Sequence, residues 1–151
     1  TRAGVVSMTE LVRSSMRLRP DRVVVGEVRG AEALDLIKVW GTGHPGGIAT
    51  IHAGSALGAL LRLEQLILEV AVNPPRALIA EAINVVIHIA GRGRKRRIEN
   101  IARVVGFDGV GYRLVDGLAD ALQAPFPELP SAFPAADPAA TSPSPDSTGE
   151  L

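Results

Sequence analysis

Seven residues, 22–28 (RVVVGEV), constrain the fold of this 151-residue chain more than any other stretch. Their three consecutive valines favour a strand that is buried on both faces, as strands of parallel sheets are. Helical patterns flank this strand: the capping-box sequence SMTE at 7–10 begins a helix that Pro20 stops, and residues 31–40 form another. Helix, buried strand and helix in this order predict an α/β fold.

The pattern of the following residues predicts how this fold continues. We expect a second buried strand at 48–53, helices at 56–71 and after Pro75, a third strand at 85–90, and antiparallel hairpins at 98–107 and 111–115. Aliphatic side chains must fill the core, because only five residues are aromatic. No apolar run reaches the roughly 18 residues of a membrane-spanning helix, so no transmembrane segment is predicted.

Composition divides the chain into residues 1–118, which carry the domain, and a tail of residues 119–151. The tail holds seven of the eleven prolines and no Lys or Arg. Such a segment has too few large apolar groups to offset the entropy of ordering it, so we expect it to be disordered. Because the chain opens on Thr1 close to a helix signal, we also expect a fragment of a longer protein.

The chain contains no cysteine. Disulfide frameworks, thiol catalysis and cysteine-based metal sites are therefore excluded, and a reducing, cytoplasmic location is expected.

The basic run RGRKRR at 92–97 places five cations in six positions. Neighbouring cations can bind nucleic acid or anionic lipid through phosphates. No aromatic residue is interleaved to stack on bases, so a solvated turn is favoured and direct nucleic-acid binding is not expected.

Glu27 is the first candidate for chemistry, because it stands at the carboxyl end of the most hydrophobic strand. Ligands bind at that edge of open α/β sheets. With Gly26 leaving space beside it, the carboxylate can orient a water molecule or reach a Mg²⁺ ion held by phosphates. Arg29 follows two residues later, and the alternative interpretation is a solvated ion pair between Glu27 and Arg29.

Two histidines are the second candidate group: His44 lies in the glycine-rich stretch GTGHPGG, and His52 ends the next strand. Strands on either side of a crevice could bring Glu27 and His52 to one site, where an imidazole can donate to a phosphate oxygen and sense a γ-phosphate. The alternatives are hydrogen-bonded structural histidines or, more weakly, a zinc site of His44, His52 and Glu27, which lacks the H-E-x-x-H spacing and any cysteine.

Two linked motifs, RLRPDRVVVGEVR at 17–29 and GHPGGIATIHA at 43–53, carry a resemblance that extends over residues 7–115. The chain resembles the motor domain of the type II and type IV secretion ATPases, and among them the TrbB-like conjugal-transfer ATPases. The resemblance implies the C-terminal part of a RecA-like P-loop ATPase domain that ends in β-hairpins.

The resemblance also implies roles for single residues. Glu27 matches the Walker B glutamate, the catalytic residue that positions Mg²⁺ and water, and His44 and His52 match the two histidines of the His box, of which His52 approaches the γ-phosphate. The following arginines are implied as contacts to phosphate or to a neighbouring subunit: Arg17, Arg19 and Arg29. ATP and Mg²⁺ are the implied cofactors.

For the whole protein, the resemblance implies a hexamer on the cytoplasmic face of the bacterial inner membrane, working with inner-membrane components of the secretion or conjugation machinery. The phosphate-binding pattern G-x-x-x-x-G-K-[ST] does not occur in the 151 residues, so we expect no ATP hydrolysis by this chain alone. Two alternatives stay open: an inactive truncated remnant that acts only as an interaction module, and a nucleic-acid-binding protein that uses residues 92–97.

Overall fold

Helices and strands alternate along the first part of the chain and give way to antiparallel strands at its end. The structure is a computed structural model and describes residues 6–117. The helices are α1 (Met8–Met16), α2 (Glu32–Gly41), α3 (Ala56–Leu68) and α4 (Arg76–Ala82). The strands are β1 (Val24–Val25), β2 (Ile48–Ala49), β3 (Val85–Ala90), β4 (Arg97–Phe107) and β5 (Tyr112–Asp116).

The helices begin where local signals predict them. The capping box of α1 is present, since Ser7 Oγ accepts from the Glu10 backbone N–H at 3.2 Å and Glu10 Oε2 accepts from the Ser7 N–H at 2.9 Å. Ser55 caps α3 by accepting from the Gly58 N–H at 3.0 Å, and Pro75 precedes α4. All four predicted helices are confirmed to within a few residues.

α1 ends at Met16, four residues before the proline that was predicted to stop it. The backbone N–H groups of Arg17, Leu18 and Arg19 each bond three residues back, which tightens the chain into a turn. Arg19 has a left-handed backbone with φ of 50°. The residue before a proline is disfavoured in helical conformation, so the helix closes early.

The strands form two sheets. β1 and β2 are parallel, with Val24 opposite Ile48, and the Ile48 N–H donates to the Val23 carbonyl at 3.3 Å. β3, β4 and β5 form an antiparallel sheet in that order, with irregularities between His88 and Ile89 and between Val104 and Gly106. The predicted α/β fold and the antiparallel hairpins are confirmed.

The core lies where α2, α3 and α4 meet the sheets, and it is aliphatic as expected. Its largest fully buried side chains are Leu36, Ile37, Leu60, Leu66, Ile67 and Ile79. α1 packs on α2, where Arg13 and Asp35 form an ion pair at 3.1 Å.

The prediction that β1 and β2 are buried on both faces is wrong for the described residues. Val25 is buried, but Val24 is 67% exposed and its neighbour Ile48 is 62% exposed. Val24 and Ile48 lie opposite each other, so the face of the parallel pair that carries them is largely exposed within residues 6–117. The two strands are also shorter than the predicted seven and six residues.

Two further predictions concern the tail and the absence of a transmembrane segment. The tail, residues 119–151, lies outside the described residues. Within the described part of the chain, no helix is both long enough and apolar enough to cross a membrane.

Candidate functional site

The site is centred on Glu27, just beyond the carboxyl end of β1. Its carboxylate is 23% exposed and has a partner at each oxygen. His52 Nε2 lies 3.0 Å from Oε1, and Arg29 forms an ion pair with Oε2 through Nη2. The expectation that Glu27 and His52 converge is confirmed, and the ion pair between Glu27 and Arg29 is present as well.

Pairing beyond the ends of β1 and β2 brings these side chains together. The Val28 N–H donates to the Thr50 carbonyl at 2.9 Å, and the Thr50 hydroxyl donates to the Gly26 carbonyl at 2.5 Å. These two bonds lie on either side of Glu27 and fix its backbone against the segment that carries His52. Thr50 was not predicted as a site residue, because a threonine in a strand ordinarily reflects β-propensity alone.

Glu32, the first residue of α2, fixes the turn that follows Glu27. Its side chain is 7% exposed, and Oε1 accepts from the backbone N–H groups of Arg29 at 2.7 Å and Gly30 at 3.0 Å. Burial raises the pKa of Glu32, but bonds from the backbone N–H groups of Arg29, Glu32 and Gly30 together lower it below its ordinary value. In the sequence, an acidic residue in the first turn of a helix indicates a favourable interaction with the helix dipole. It does not predict hydrogen bonds to the backbone N–H groups of the preceding turn.

The charge of Glu27 is set by its neighbours. The hydrogen bond from Arg29 lowers the pKa of Glu27, a weaker desolvation effect opposes it, and the charges of Arg29 and His52 lower it further. In turn, the pKa of Arg29 is raised by Glu27. Glu27 is therefore a carboxylate at neutral pH, able to accept hydrogen bonds and poorly suited to taking up a proton.

The other predicted site residues lie apart from this pair. His44 Nδ1 is buried without a hydrogen-bond partner, and no bond among the described residues joins His44 to Glu27. Arg17 and Arg19 are exposed in the turn after α1, and neither forms an ion pair within residues 6–117. The structure thus assembles Glu27, Arg29 and His52 but not the other three.

The site offers one carboxylate to a metal ion. Between residues 6 and 117, no three His, Cys, Asp or Glu side chains lie close enough together to hold a metal, so the zinc hypothesis for His44, His52 and Glu27 is wrong. Mg²⁺ in nucleotide sites needs only one or two carboxylates, with phosphates and waters as its other ligands. Glu27 fits a cation shared with a nucleotide, and such a cation would compete with Arg29 and His52 for the carboxylate oxygens.

The basic run lies in an exposed turn. Residues 92–97 surround the 3₁₀ turn Gly93–Lys95, and Arg97 pairs with Glu99 at 3.0 Å. This exposure agrees with a solvated turn, and the absence of nucleic-acid binding stays a prediction.

Comparison with known proteins identifies relatives over about two thirds to three quarters of this chain. A family model described as type II/IV secretion system protein matches residues 1–101. The conjugal transfer protein TrbB of Rhizobium radiobacter is 45% identical over 111 residues, which cover 74% of this chain and 34% of that protein. The type IV secretion system protein PtlH of Bordetella pertussis is 38% identical over 109 residues, which cover 66% of this chain and 32% of PtlH.

A solved structure shows the same fold. The VirB11 ATPase from the Brucella suis type IV secretion system, in complex with sulphate, matches with a TM-score of 0.59 and 32% identity over 65% of this chain. The match covers 32% of the VirB11 chain. The chain therefore spans about a third of the length of the relatives it matches.

Proposed function

The chain belongs to the type II/IV secretion system protein family, and from that premise we propose that it is part of an ATP-hydrolysing motor subunit of a conjugative-transfer or type IV secretion system. The observation that carries the proposal is the 3.0 Å contact between Glu27 and His52, made across two parallel strands at the edge where such sheets bind ligands. The TrbB and PtlH relatives support the type of system.

In this proposal Glu27 orients the attacking water. Because Arg29 and His52 keep it charged, its carboxylate accepts a hydrogen bond from the water and holds it in line with the terminal phosphoryl group. The low pKa of Glu27 favours this orienting role over full removal of a proton. A bound Mg²⁺ would neutralise charge on the phosphates, and Glu27 is the residue of this site whose carboxylate could help to hold it.

His52 reports on the terminal phosphate in the same proposal. Its side chain is 94% exposed, and its side-chain contact within residues 6–117 is made by Nε2, which lies 3.0 Å from Glu27 Oε1. A phosphate oxygen competes with the carboxylate for this N–H group. When the imidazole of His52 moves from Glu27 to a phosphate oxygen, one carboxylate oxygen of Glu27 becomes free to bind the water. Nucleotide binding and the availability of Glu27 are therefore coupled through His52.

In this proposal, the other groups of the nucleotide site come from further polypeptide and from neighbouring subunits. The 151 residues lack the G-x-x-x-x-G-K-[ST] loop, so the chain alone is proposed not to turn over ATP. Exposed Arg17 and Arg19 are proposed to reach a nucleotide on a neighbouring subunit of a hexamer, and His44 to line the same nucleotide site. The hexamer is proposed to act at the cytoplasmic face of the inner membrane, with membrane components of the secretion machinery as partners.

The test is Glu27→Gln in a protein of the relatives' length that carries this chain and a phosphate-binding loop. We expect ATP turnover to fall roughly 100-fold or more while ATP binding is kept, because the amide retains the size of the side chain and loses the charge that orients water. Steady-state hydrolysis and nucleotide binding by fluorescence are the two measurements.

Glu99→Gln is the matched control. Glu99 also pairs with one histidine and one arginine, His88 at 3.4 Å and Arg97 at 3.0 Å, but these residues lie in the antiparallel sheet. The control should keep normal turnover. Normal turnover in Glu27→Gln, or an equal loss in both variants, would defeat the proposed role of Glu27.

A further inference from the structure

The connection between β3 and β4 concentrates positive charge at one end of the antiparallel sheet. We call residues 91–97 the basic turn, and all of them are exposed. The turn carries the cations Arg92, Arg94, Lys95, Arg96 and Arg97. The proposed nucleotide site uses none of these five, so the ATPase chemistry does not account for the charge of the turn.

Little acidic charge lies beside the basic turn. Glu99 is the only acidic residue between positions 85 and 107, and it pairs with Arg97 at 3.0 Å. The other four cations form no ion pair with any of residues 6–117. Like charges held this close together repel one another, and phosphate groups brought against them relieve the repulsion. The turn therefore presents four cations to an external anion.

The backbone gives the basic turn a defined shape. The Lys95 N–H donates to the Arg92 carbonyl at 3.0 Å, and the Arg96 N–H donates to the Gly93 carbonyl at 3.3 Å. Gly91 has a φ of 86°, and a Cβ at this position would overlap the Lys95 carbonyl oxygen, so the turn requires glycine there. Because the backbone is already fixed, less entropy is lost when the cations bind a partner.

Two exposed isoleucines lie at the base of the basic turn. Ile89 and Ile98 are opposite each other in the pairing of β3 with β4, and their side chains are 59% and 60% exposed. Opposite residues of an antiparallel pair lie on the same face, so the two side chains form one aliphatic patch. The patch lies one residue, or roughly 3 Å, below the pair of Ala90 and Arg97 that closes the turn.

Cations next to aliphatic side chains fit a lipid bilayer better than a nucleic acid. Headgroup phosphates attract clustered Lys and Arg, and aliphatic groups gain by entering the boundary between headgroups and acyl chains. Single-stranded nucleic acid is bound by cations together with aromatic side chains that stack on the bases. No aromatic residue lies between positions 85 and 106, and a nucleic acid would leave the isoleucine patch without a partner.

We propose that the basic turn, together with Ile89 and Ile98, binds the surface of a membrane that contains anionic phospholipids. The guanidinium and ammonium groups bind headgroup phosphates, and the two isoleucines enter the headgroup region. This contact gives a position in the chain to the membrane association included in the proposed function. Lipid binding by the turn does not require ATP turnover, so the vesicle test below and the Glu27 test can fail separately.

Cosedimentation of the 151-residue chain with vesicles tests the proposal. The probe is vesicles of equal parts phosphatidylglycerol and phosphatidylcholine, compared with vesicles of phosphatidylcholine alone. We expect binding to the anionic vesicles only, and weaker binding as salt is raised, because salt screens exposed charges. Equal binding to the two kinds of vesicle, or binding to neither, overturns the proposal.

A pair of double variants separates the basic turn from the charge of the whole chain. Arg94→Ser with Lys95→Ser should lower the affinity for anionic vesicles roughly 25-fold, since each basic residue near such a surface contributes about fivefold. The matched control is Arg62→Ser with Lys38→Ser, which also removes one Arg and one Lys, both exposed and both on helices. The control should bind nearly as well as the wild type. Equal losses in the two double variants overturn the proposal.

A second pair of variants tests the isoleucine patch. Ile98→Ser should lower the affinity for anionic vesicles roughly tenfold, because less aliphatic surface enters the headgroup region. Val110 is 94% exposed in the turn at the other end of β4, so Val110→Ser should leave the affinity unchanged. Unchanged binding in Ile98→Ser, or equal losses in both variants, overturns the proposed membrane contact.

Duplex DNA provides the competing outcome. DNA added at the same phosphate concentration as the vesicles should not displace the bound chain. If DNA does displace it, and Arg94→Ser with Lys95→Ser abolishes binding to DNA, the basic turn is assigned to nucleic acid and the proposal is overturned.

Discussion

Glu27 has two partners that differ in origin, one in the same segment after β1 and one in the segment after β2. Arg29 lies two residues away and is the main cause of the lowered pKa of Glu27, whereas the charge of His52 contributes least. Local sequence thus sets the charge of the carboxylate, and the parallel pairing of β1 and β2 sets which group faces its other oxygen.

Arg29→Ala tests how the charge is set. The pKa of Glu27 should rise towards its ordinary value of 4.5, because the hydrogen bond that stabilises the carboxylate is lost. A lowered pKa stabilises the folded protein above the ordinary pKa, and this contribution is lost as pH falls through the lowered value. The variant should therefore take up its proton at higher pH, which a carbon NMR titration of the Glu27 carboxyl measures.

Arg62→Ala is the control for this titration. Arg62 is an exposed arginine whose side-chain partner within residues 6–117 is Gln65, so its loss should leave the titration of Glu27 unchanged. A Glu27 titration that is the same in Arg29→Ala and in the wild type would contradict the assigned cause.

At the scale of elements, the turn after β1 and the start of α2 form one unit. Ala31, at the N-cap position of α2, gives no side-chain cap, and Glu32 instead reaches back to the N–H groups of Arg29 and Gly30. The buried acid therefore closes the helix entry and fixes the backbone beside Glu27 at the same time. Its bonds belong to α2, so the site depends on where this helix begins.

Glu32→Ala should lower the free energy of unfolding by about 1–3 kcal/mol, the cost of leaving bonds to a charged acceptor unmade. Because the pKa of Glu32 is lowered in the folded state, the difference from wild type should be present above its ordinary pKa and shrink as pH falls through the lowered value. Urea denaturation at neutral and at acidic pH measures both effects.

Glu81→Ala is the matched substitution, since Glu81 is an exposed helical glutamate without a bonded partner among residues 6–117. It should change stability by about 0.5 kcal/mol or less. A pH-independent loss in Glu32→Ala would show that packing, and not the charge of Glu32, holds the turn.

Elements were predictable from the sequence where their signals are local. Ser7 and Ser55 cap helices through N–H groups three residues away, so a short sequence window contains both partners. Thr50 was not predictable as a site residue, because its partner, the Gly26 carbonyl, lies on another strand. The convergence of Glu27 and His52 was predictable because parallel strands meet at one edge, which is a property of the fold class.

At the scale of the whole molecule, one aliphatic core connects the helices to both sheets. Residues of α2, α3 and α4 pack in the same cluster as Val25 of β1 and Val104 of β4. The position of the site therefore depends on packing that is distant from it. A loss of side-chain volume in the core should destabilise all the described residues together.

Leu66→Ala should lower the free energy of unfolding by about 2–5 kcal/mol, because it removes a fully buried side chain and leaves a cavity. Leu68→Ala in the same helix, where the side chain is 49% exposed, should cost at most about 1 kcal/mol. Because both substitutions replace Leu with Ala in α3, the change in helix propensity is the same in the two variants. The difference between them then reports the burial of the side chain. Equal losses in urea denaturation would contradict the assignment of the core.

The exposure of the parallel pair was not predictable from residues 22–28. Three consecutive valines indicate burial on both faces, and Val24 is nevertheless 67% exposed. A sequence pattern reports the environment for which side chains are suited, whereas the exposure in the structure depends on which polypeptide is present to cover them. Local patterns cannot distinguish these two quantities.

The bonds from Val28 to Thr50 and from Thr50 to Gly26 have a mechanical consequence. They attach the backbone on both sides of Glu27 to the segment that leads to His52. A force that displaces either strand end would carry the acid and the imidazole together, with little slack between them.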